Sequence, residues 1–466
     1  MQISARLVKS LAYHSSAVAP ISATGTATLE EIASNRRGLA RVVLKKGKTQ
    51  LFKDGSPMVY SGAVDRVIGR PPPKTGDVVL VADGAEKPIG WGLYNSVSMF
   101  CVRLMQLEEE VISDVSCALD MDKLIETRIY AATDLRRKMG LPSSDTNAYR
   151  LVNSEGDRLS GLIVDVFGDA AVIASSAAWV EKYRAEIELH LSRISNLNNL
   201  IWRQSIEVLK EEGLDFTRHQ KDNSPSALFK KLKIIENGIC YSVSTEGQKT
   251  GFYADQRENR QFISSISKDQ KVLDVCCYSG GFSLNAAKGG ASSVTGIDSS
   301  LTALELANEN VLLNNLDPQK VTFFGEDASV FMKDAISRKE SWDLVILDPP
   351  KLAPRRKVLQ KALGMYRNLN SLAMKVTKPG GLLMTCSCSG AVAQNEGTFQ
   401  RMLQASPSMF LIIIQINMKD YFFQDAASST GRKITIIRQS GAGNDHPLDL
   451  FYPEGAYLTN FLVRVL

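Results

Sequence analysis

The stretch that most narrows what this chain can fold into is Lys271 to Asp298, KVLDVCCYSGGFSLNAAKGGASSVTGID. Lys271 to Val275 is a short apolar run closed by Cys276 and Cys277, and it reads as a strand. Gly280-Gly281 then lets the backbone pass close to a ligand where a Cβ would obstruct it. Leu284 to Lys288 continues as a helix, and Ser293 to Ile297 is a second strand that delivers Asp298. That carboxylate lies 24 positions after Asp274, the place of the acidic residue that holds ribose hydroxyls in a nucleotide-binding βαβ unit. The expected ligand therefore carries an adenosine.

The glycine pattern is not that of a dinucleotide site. A pyrophosphate needs bare backbone amides at a helix N-terminus, and here Cys276 and Tyr278 stand where that fingerprint has glycines. A cofactor with adenosine but no phosphates fits better, which points to S-adenosylmethionine. Tyr278, Ser279, Gly280, Gly281 and Asp298 are its first candidate contacts.

Strands and helices keep alternating downstream. Leu301, Leu304, Ala307 and Val311 make an apolar helix face; Val321 to Phe324 reads as a strand, Asp327 to Ser337 as a helix, and Trp342 to Leu347 and Leu382 to Met384 as strands. This is the pattern of an α/β, doubly wound, mostly parallel sheet, whose ligands sit beyond the C-terminal ends of the strands. Just upstream, Gly247 to Arg257 places polar groups around two glycines before a helix from Glu258 to Ile263. The loop either lines the cofactor mouth, with Gln256 and Arg257 as contacts, or is an ordinary helix cap in which Asp255 serves the first turn.

Two strand ends carry the chemistry. In Asp348-Pro349-Pro350-Lys351 the prolines stop the strand and hold the aspartate at its tip. An aromatic in the Lys351 position would suit methylation of an exocyclic amine, so the lysine turns attention to another acceptor. Thr385-Cys386-Ser387-Cys388-Ser389-Gly390 supplies a thiol. Carbon 5 of a pyrimidine is too weak a nucleophile to take a methyl group unaided, but a thiolate added to carbon 6 makes the ring an enamine. An acid at ring nitrogen 3 stabilises the developing charge, a role for Asp348 if protonated in a dry pocket or for Lys351. The alternative for Cys388 is a small buried core residue; its place in a Ser/Gly turn at a strand end favours the functional reading.

The remaining sequence bounds the setting. At 466 residues, 44% hydrophobic and 23% charged, the chain has the length of two or three domains of about 150 residues. The net charge of +5 is unevenly spread, since Arg36 to Leu107 holds twelve Lys/Arg against five Asp/Glu. This region is β-rich, with short strands at Arg41–Leu44, Val78–Val81, Ile89–Leu93 and Phe100–Leu104, and is expected to form a small barrel. Lys45, Lys46, Lys48, Lys53, Arg66, Arg70 and Lys74 on it are either an RNA-backbone footprint or a solubilising surface. Met121 to Lys138 reads as a connector helix with Leu124, Arg128, Ala131 and Leu135 on one face. A small α+β module follows, with strands at Ala148–Val152, Leu162–Phe167, Ala171–Ser175 and Leu200–Trp202 and a helix from Glu181 to Ile194. The seven cysteines form no CxxC and no Cys/His cluster, so neither a metal site nor a disulfide framework is expected. No run has the length to span a bilayer; the longest, Met409 to Ile414, reads as a buried strand. Met1 to Leu29 contains Arg6 and Lys9, many Ser, Thr and Ala, and no acidic residue, the composition of an organelle transit peptide, with a disordered tail as the alternative. The expected division is a transit peptide at 1–36, a barrel at 37–108, a central α+β domain with its connector helix at 109–236 and a catalytic domain at 237–466.

The motifs VLDVCCYSGGFS, GQKTGFYADQR, VILDPPKLA, TCSCSG and DHPLDLFYPEGAYL, in that order, resemble the RlmI-type large-subunit ribosomal RNA cytosine-C5 methyltransferases of bacteria, from about residue 39 to the C-terminus. The resemblance implies an N-terminal PUA domain, a small central α+β domain and a class I, Rossmann-like methyltransferase domain using S-adenosylmethionine. It implies that Cys388, and not Cys386, is the nucleophile, that Asp327 holds the adenine amino group, that Asp348 borders the cofactor as well as the base, and that large-subunit ribosomal RNA is the partner. Arg355 and Arg356 either hold RNA phosphate or belong to a solvated basic loop. The segment Lys53 to Met58 and Arg203-Gln204-Ser205 depart from the bacterial pattern, and so does the N-terminal extension, which fits an organelle enzyme. A plastid address is expected, with mitochondrion and cytoplasm as alternatives, no membrane partner, and an oligomeric state left open, a homodimer included. Two other functions stand beside this one: a methyltransferase with a non-RNA acceptor, and a noncatalytic RNA-binding assembly factor. His446 either approaches the catalytic site or is a structural histidine.

Overall fold

The computed structural model of the chain describes residues 27–36, 38–215, 231–244, 251–352, 359–390 and 426–466. The expected strand at Met409–Ile414, the basic residues Arg355, Arg356 and Lys357, the loop residues Gly247 to Thr250 and most of the expected leader lie outside the described residues.

Strands β1 (Ala40–Leu44), β2 (Met58–Tyr60), β3 (Val64–Ile68), β4 (Val78–Ala82), β5 (Pro88–Tyr94) and β6 (Phe100–Leu107) form a mixed six-stranded sheet in the order β2-β6-β5-β4-β1-β3. β2 and β3 were not legible in the sequence, one because it has only three residues, the other because it is an exposed edge without apolar alternation. β4 is apolar at every position because both faces are covered: Val79 and Val81 enter one core with Phe52 and Val102, and Leu80 enters another with Trp91 and Met105.

The last residues of the expected leader, 1–36, are built into the core. Leu29–Ser34 is a helix closed by a capping box between Thr28 and Glu31, Leu29 is fully buried in the core, and its N–H donates to Glu108 at 3.2 Å. A removable leader would have to end before Thr28.

The second sheet, in the order β10-β9-β8-β7, is built from β7 (Ala148–Asn153), β8 (Leu162–Phe167), β9 (Ala170–Ser175) and β10 (Asn199–Gln204). The Met121–Lys138 helix is a core element and more than a connector, because it packs Leu124, Ile125 and Ile129 between this sheet and the first one. Its buried stripe is rotated from the expected face, leaving Ala131 exposed and bringing Ala132 and Arg136 inside. Two arginines fit on that stripe because their guanidinium groups have internal acceptors: Arg128 donates to the carbonyls of Met105 and Arg158, and Arg136 to Asp157, Arg150 O and Asp445 O. The single helix expected from Glu181 to Ile194 is two, Ala178–Lys182 and Arg184–Ser192, broken where Tyr183 leaves helical backbone geometry.

A hairpin of β11 (Lys231–Glu236) and β12 (Ile239–Ser244) turns at Asn237-Gly238, where both residues have positive φ. The expected boundary between residues 236 and 237 falls on this turn. The hairpin's Leu232, Ile234, Tyr241 and Val243 share one core with Phe167 and Val172 of the second sheet and with Val272 and Leu344 of the third, so it joins the two.

The third sheet comprises β13 (Lys271–Val275), β14 (Ser293–Asp298), β15 (Val321–Gly325), β16 (Trp342–Leu347), β17 (Thr377–Ser387), β18 (Ile434–Ser440) and β19 (Thr459–Val465). Its order is β15-β14-β13-β16-β17-β19-β18, with the first five strands parallel and β19 antiparallel to both neighbours. This is the doubly wound α/β fold, with the topological switch beside β13, and helices Gly281–Lys288, Leu301–Leu313, Ala328–Ser337 and Leu359–Val376 connect the strands. On the Leu301–Leu313 helix the buried stripe is Ala303, Leu304, Ala307 and Val311, whereas Leu301, expected on it, opens the first turn and is 68% exposed.

Candidate active site

Register brings the catalytic candidates onto one line. Ile297 pairs with Val275, Val275 with Leu347, and Leu347 with Thr385, so one residue further along stand Asp298, Cys276, Asp348 and Cys386 at adjacent strand ends. Cys388 follows two residues beyond Cys386, just past the end of β17.

The turn after β13 takes a left-handed backbone at Cys276 (φ 66°), Tyr278 (φ 49°) and Gly280 (φ 82°). Glycine is required at 280, where a Cβ would also lie 3.2 Å from Phe323, but at the other two positions L side chains bear the unfavourable geometry. Hydrogen bonds fix it: Cys276 and Cys277 N–H both donate to Ile297 O (2.8 and 3.0 Å), and Tyr278 N–H donates to Asp298 Oδ2 (2.9 Å). These are amides that a pyrophosphate would need, and the protein has already used them.

Charge at the turn is acidic. Burial pushes the Cys276 thiol well up, and Asp298, Asp348, Asp274 and Asp327 all push it further, so four carboxylates surround this point. Asp274 is fully buried; its Oδ2 accepts from Ser283 N–H (2.9 Å) and Ser283 Oγ (2.7 Å), while Oδ1 is buried without a partner among the described residues. Burial raises its carboxyl to about 7, with Asp348 adding to the rise. Occupied amides, surplus negative charge and an orphaned carboxylate oxygen are a poor seat for phosphate and a good one for a ligand bearing ammonium and sulfonium groups, which is what S-adenosylmethionine carries.

Individual candidates fall as follows. Asp298 is half-buried at the tip of β14, where a ribose would be reached. Asp327 is exposed and caps the Ala328–Ser337 helix through Oδ1. Gln256 comes to the site: its Nε2 donates to Asp348 Oδ2 at 3.2 Å, and its side chain also bonds Cys386. Arg257 does not. Its guanidinium lies buried against Asp445, 3.0 Å to each carboxylate oxygen, and against Glu258, so its expected cofactor contact is replaced by a structural one. Asp255 does not cap the helix as the alternative reading had it; it accepts from Tyr457 Oη at 2.7 Å. Lys351 is exposed on the loop after Asp348. Lys45 and Lys46 are exposed at the end of β1, with Lys45 Nζ on Gly62 O at 3.0 Å, while Arg66 is taken up by Asp65 and Glu86.

The two cysteines of the TCSCSG tip differ in setting. Cys386 is 0% exposed in the sheet core, and burial pushes its thiol well above the usual range. Cys388 is half-buried, and its Sγ lies 3.8 Å from Pro349 O, so the thiol rests against the loop that carries Asp348.

Three residues near the site were given no role by the sequence pattern. Tyr253 packs edge-on against Tyr278 (5.3 Å between rings), and its phenol is pushed up by burial and by Tyr278, Asp255, Cys388 and Asp348 around it. Tyr366 Oη lies 3.1 Å from both Ser387 Oγ and Ser389 Oγ, the residues flanking Cys388. Asp445 receives Arg257, the Arg150 N–H (2.7 Å) and His446 Nδ1 (2.9 Å). His446 is thereby placed in the ionic seam behind the site, the structural alternative. Tyr253 and Asp445 lie within the GQKTGFYADQR and DHPLDLFYPEGAYL motifs, whose pattern does not say what each side chain will meet, and Tyr366 lies outside every motif.

The S-adenosylmethionine-dependent methyltransferase family matches residues 223–438, and a PUA-like domain matches residues 42–107. The chain is 32% identical over 428 residues to "Ribosomal RNA large subunit methyltransferase I" of Erwinia tasmaniensis, covering 91% of this chain and 99% of that protein. It is 31% identical over 427 residues to the protein of the same name from Alteromonas mediterranea, again covering 91% and 99%. Among solved structures, SMU.776, described as a methyltransferase and complexed with SAH, superposes with a TM-score of 0.68 at 21% identity over 91% of this chain and 99% of that one. A Streptococcus mutans structure described as a SAM-dependent methyltransferase gives 0.66 at 20% identity over the same shares.

Proposed function

This chain belongs to the ribosomal RNA large subunit methyltransferase I family, whose cofactor is S-adenosylmethionine, and on that premise we propose that it methylates carbon 5 of a cytosine in large-subunit ribosomal RNA with Cys388 as nucleophile. The observation that carries the chemistry is the contrast between the half-buried Cys388 thiol, set against the Asp348 loop, and the fully buried Cys386 two residues before it.

The residues act on the base as follows. The Cys388 thiolate adds to carbon 6 and ring electrons move towards carbon 5. A proton or hydrogen bond at nitrogen 3 from Asp348, or from Lys351 on the same loop, stabilises the charge that develops in the ring. Gln256 holds Asp348 at the mouth of the site. The bound cofactor supplies the methyl group that carbon 5 accepts, with Asp298 at its ribose and Asp274 and the Tyr278 to Gly281 turn beneath it. Loss of the carbon-5 proton then returns an electron pair to the ring and expels the Cys388 thiolate. The target base must leave its stack to reach the thiol, and the exposed Lys45 and Lys46 are placed on the RNA backbone in this reading.

The test is transfer of labelled methyl from the cofactor to unmodified large-subunit ribosomal RNA, with the product nucleoside identified by mass spectrometry. Wild type is expected to give 5-methylcytidine, and Cys388→Ala to lose at least about 10³-fold in rate, as loss of a covalent nucleophile does. Methylation of a protein or small molecule in preference to RNA, or RNA binding without transfer, would overturn the reading.

A further inference from the structure

We propose that Tyr366 is a positioning residue for the reaction, a phenol that locks the Cys388 tip to the Asp348 loop. The inference rests on the cysteine reading above and extends it to a residue on the opposite side of the strand end.

Tyr366 projects from the Leu359–Val376 helix and is 0% exposed. Ser387 Oγ donates to its Oη at 3.1 Å. Ser389 Oγ lies at the same distance, 3.1 Å, and either hydroxyl can donate. Ser389 N–H closes the ring by donating to Ser387 Oγ at 3.4 Å. Ser387 and Ser389 are themselves 0% exposed, so the residues before and after Cys388 are both pinned from behind while the thiol between them stays half-buried. Leu352, on the loop of Asp348 and Lys351, packs against the core cluster that holds Tyr366, and its backbone acts on the phenol, so this side chain stands against both strand ends that the reaction uses. The second contact between them, Cys388 Sγ to Pro349 O, is longer and involves a weak donor. A buried hydrogen-bonded network of this kind is rigid, and reacting atoms displaced by about 1 Å cost on the order of 10²-fold in rate.

Tyr366→Phe keeps the ring in its core and removes only the oxygen. We expect kcat for methyl transfer to fall about 10- to 100-fold with KM for RNA and cofactor affinity within about threefold of wild type. Alkylation of Cys388 by iodoacetamide, read by peptide mass spectrometry, is expected to move the other way, rising about threefold or more because the thiol is freed to swing outwards, while Cys386 stays unmodified. Partial unfolding would expose both cysteines, so the opposite signs separate positioning from lost stability. Ser387→Ala and Ser389→Ala are expected to lower kcat in the same direction, and neither is expected to add fully to Tyr366→Phe, because all three break one network. A Tyr366→Phe enzyme with kcat within twofold of wild type, or one in which Cys386 and Cys388 become reactive together, overturns the proposal. Should Cys388→Ala keep full activity, the nucleophile reading fails by itself, and the alkylation ratio still decides whether Tyr366 holds the tip.

Discussion

Around Asp445 opposite charges meet in pairs: Arg257 grips the carboxylate at 3.0 Å through two nitrogens, and close by Arg136 holds Asp157 and Arg260 holds Glu236 at 2.7 Å, while the His446 ring hydrogen-bonds Asp445 at 2.9 Å. Around the turn at Cys276, carboxylates gather instead: Asp274, Asp298, Asp327 and Asp348 act on one thiol, and one oxygen of Asp274 is buried without a partner among the described residues. Both regions are rich in charge, yet the first spends it internally and the second holds a surplus. The paired seam ties the second sheet, the Met121–Lys138 helix and the segment after β18 to the catalytic sheet. The surplus is an electrostatic demand that a cationic ligand meets. Residue type alone would not separate the two; partners do.

The largest effect expected on breaking this contrast is at the seam. Asp445→Asn removes the buried, two-pronged partner of Arg257, leaving it only the partly exposed Glu258, and should cost about 3 kcal/mol of stability in chemical denaturation, with activity per folded molecule close to wild type. The Asp445 carboxyl is held well below the usual range by His446 and Arg257 against the cost of its burial, so its contribution is present above the unfolded carboxylate pKa of about 4 and disappears as pH falls. Activity lost in proportion beyond the loss of folded protein would instead place Asp445 in the catalytic machinery.

A smaller effect of opposite sign belongs to the turn. Asp274 is raised to about 7, so the stability it contributes is full below about pH 4 and is lost as pH rises to about 7. Asp274→Asn should remove that slope and make the cofactor-free protein more stable than wild type at pH 8, by on the order of 2 kcal/mol. Added S-adenosylmethionine should then stabilise the variant less than the wild type. Parallel stability curves from pH 4 to 8 would show that Asp274 does not carry the surplus charge.

Much of the catalytic sheet was legible because its strands are short apolar runs buried on both faces, and β13 and β16 keep the bounds their patterns suggest. The cofactor turn was legible for a different reason: Cys276 and Tyr278 in place of glycine signalled the missing phosphate cradle, and the used amides give the physical basis of that signal. Arg257 was misplaced because its partner lies 188 positions away, at a separation where local sequence says nothing of pairing. Asp445, although inside a recognised motif, was given no role for the same reason, and Tyr366 because it lies on a helix outside every motif. The exposed Leu301 and the rotated stripe of the Met121–Lys138 helix show a related limit, since periodicity marks an apolar face without saying which neighbours will cover it.

The central claim is that Cys388 bonds the target base. Incubation of the enzyme and S-adenosylmethionine with ribosomal RNA containing 5-fluorocytosine tests it most directly, because fluorine at carbon 5 blocks the final elimination and holds the adduct. A stable protein–RNA complex is expected from wild type and from Cys386→Ala, with the modified peptide mapping to Cys388, and none from Cys388→Ala. A complex that persists in Cys388→Ala, or an adduct mapped to another residue, would contradict the account.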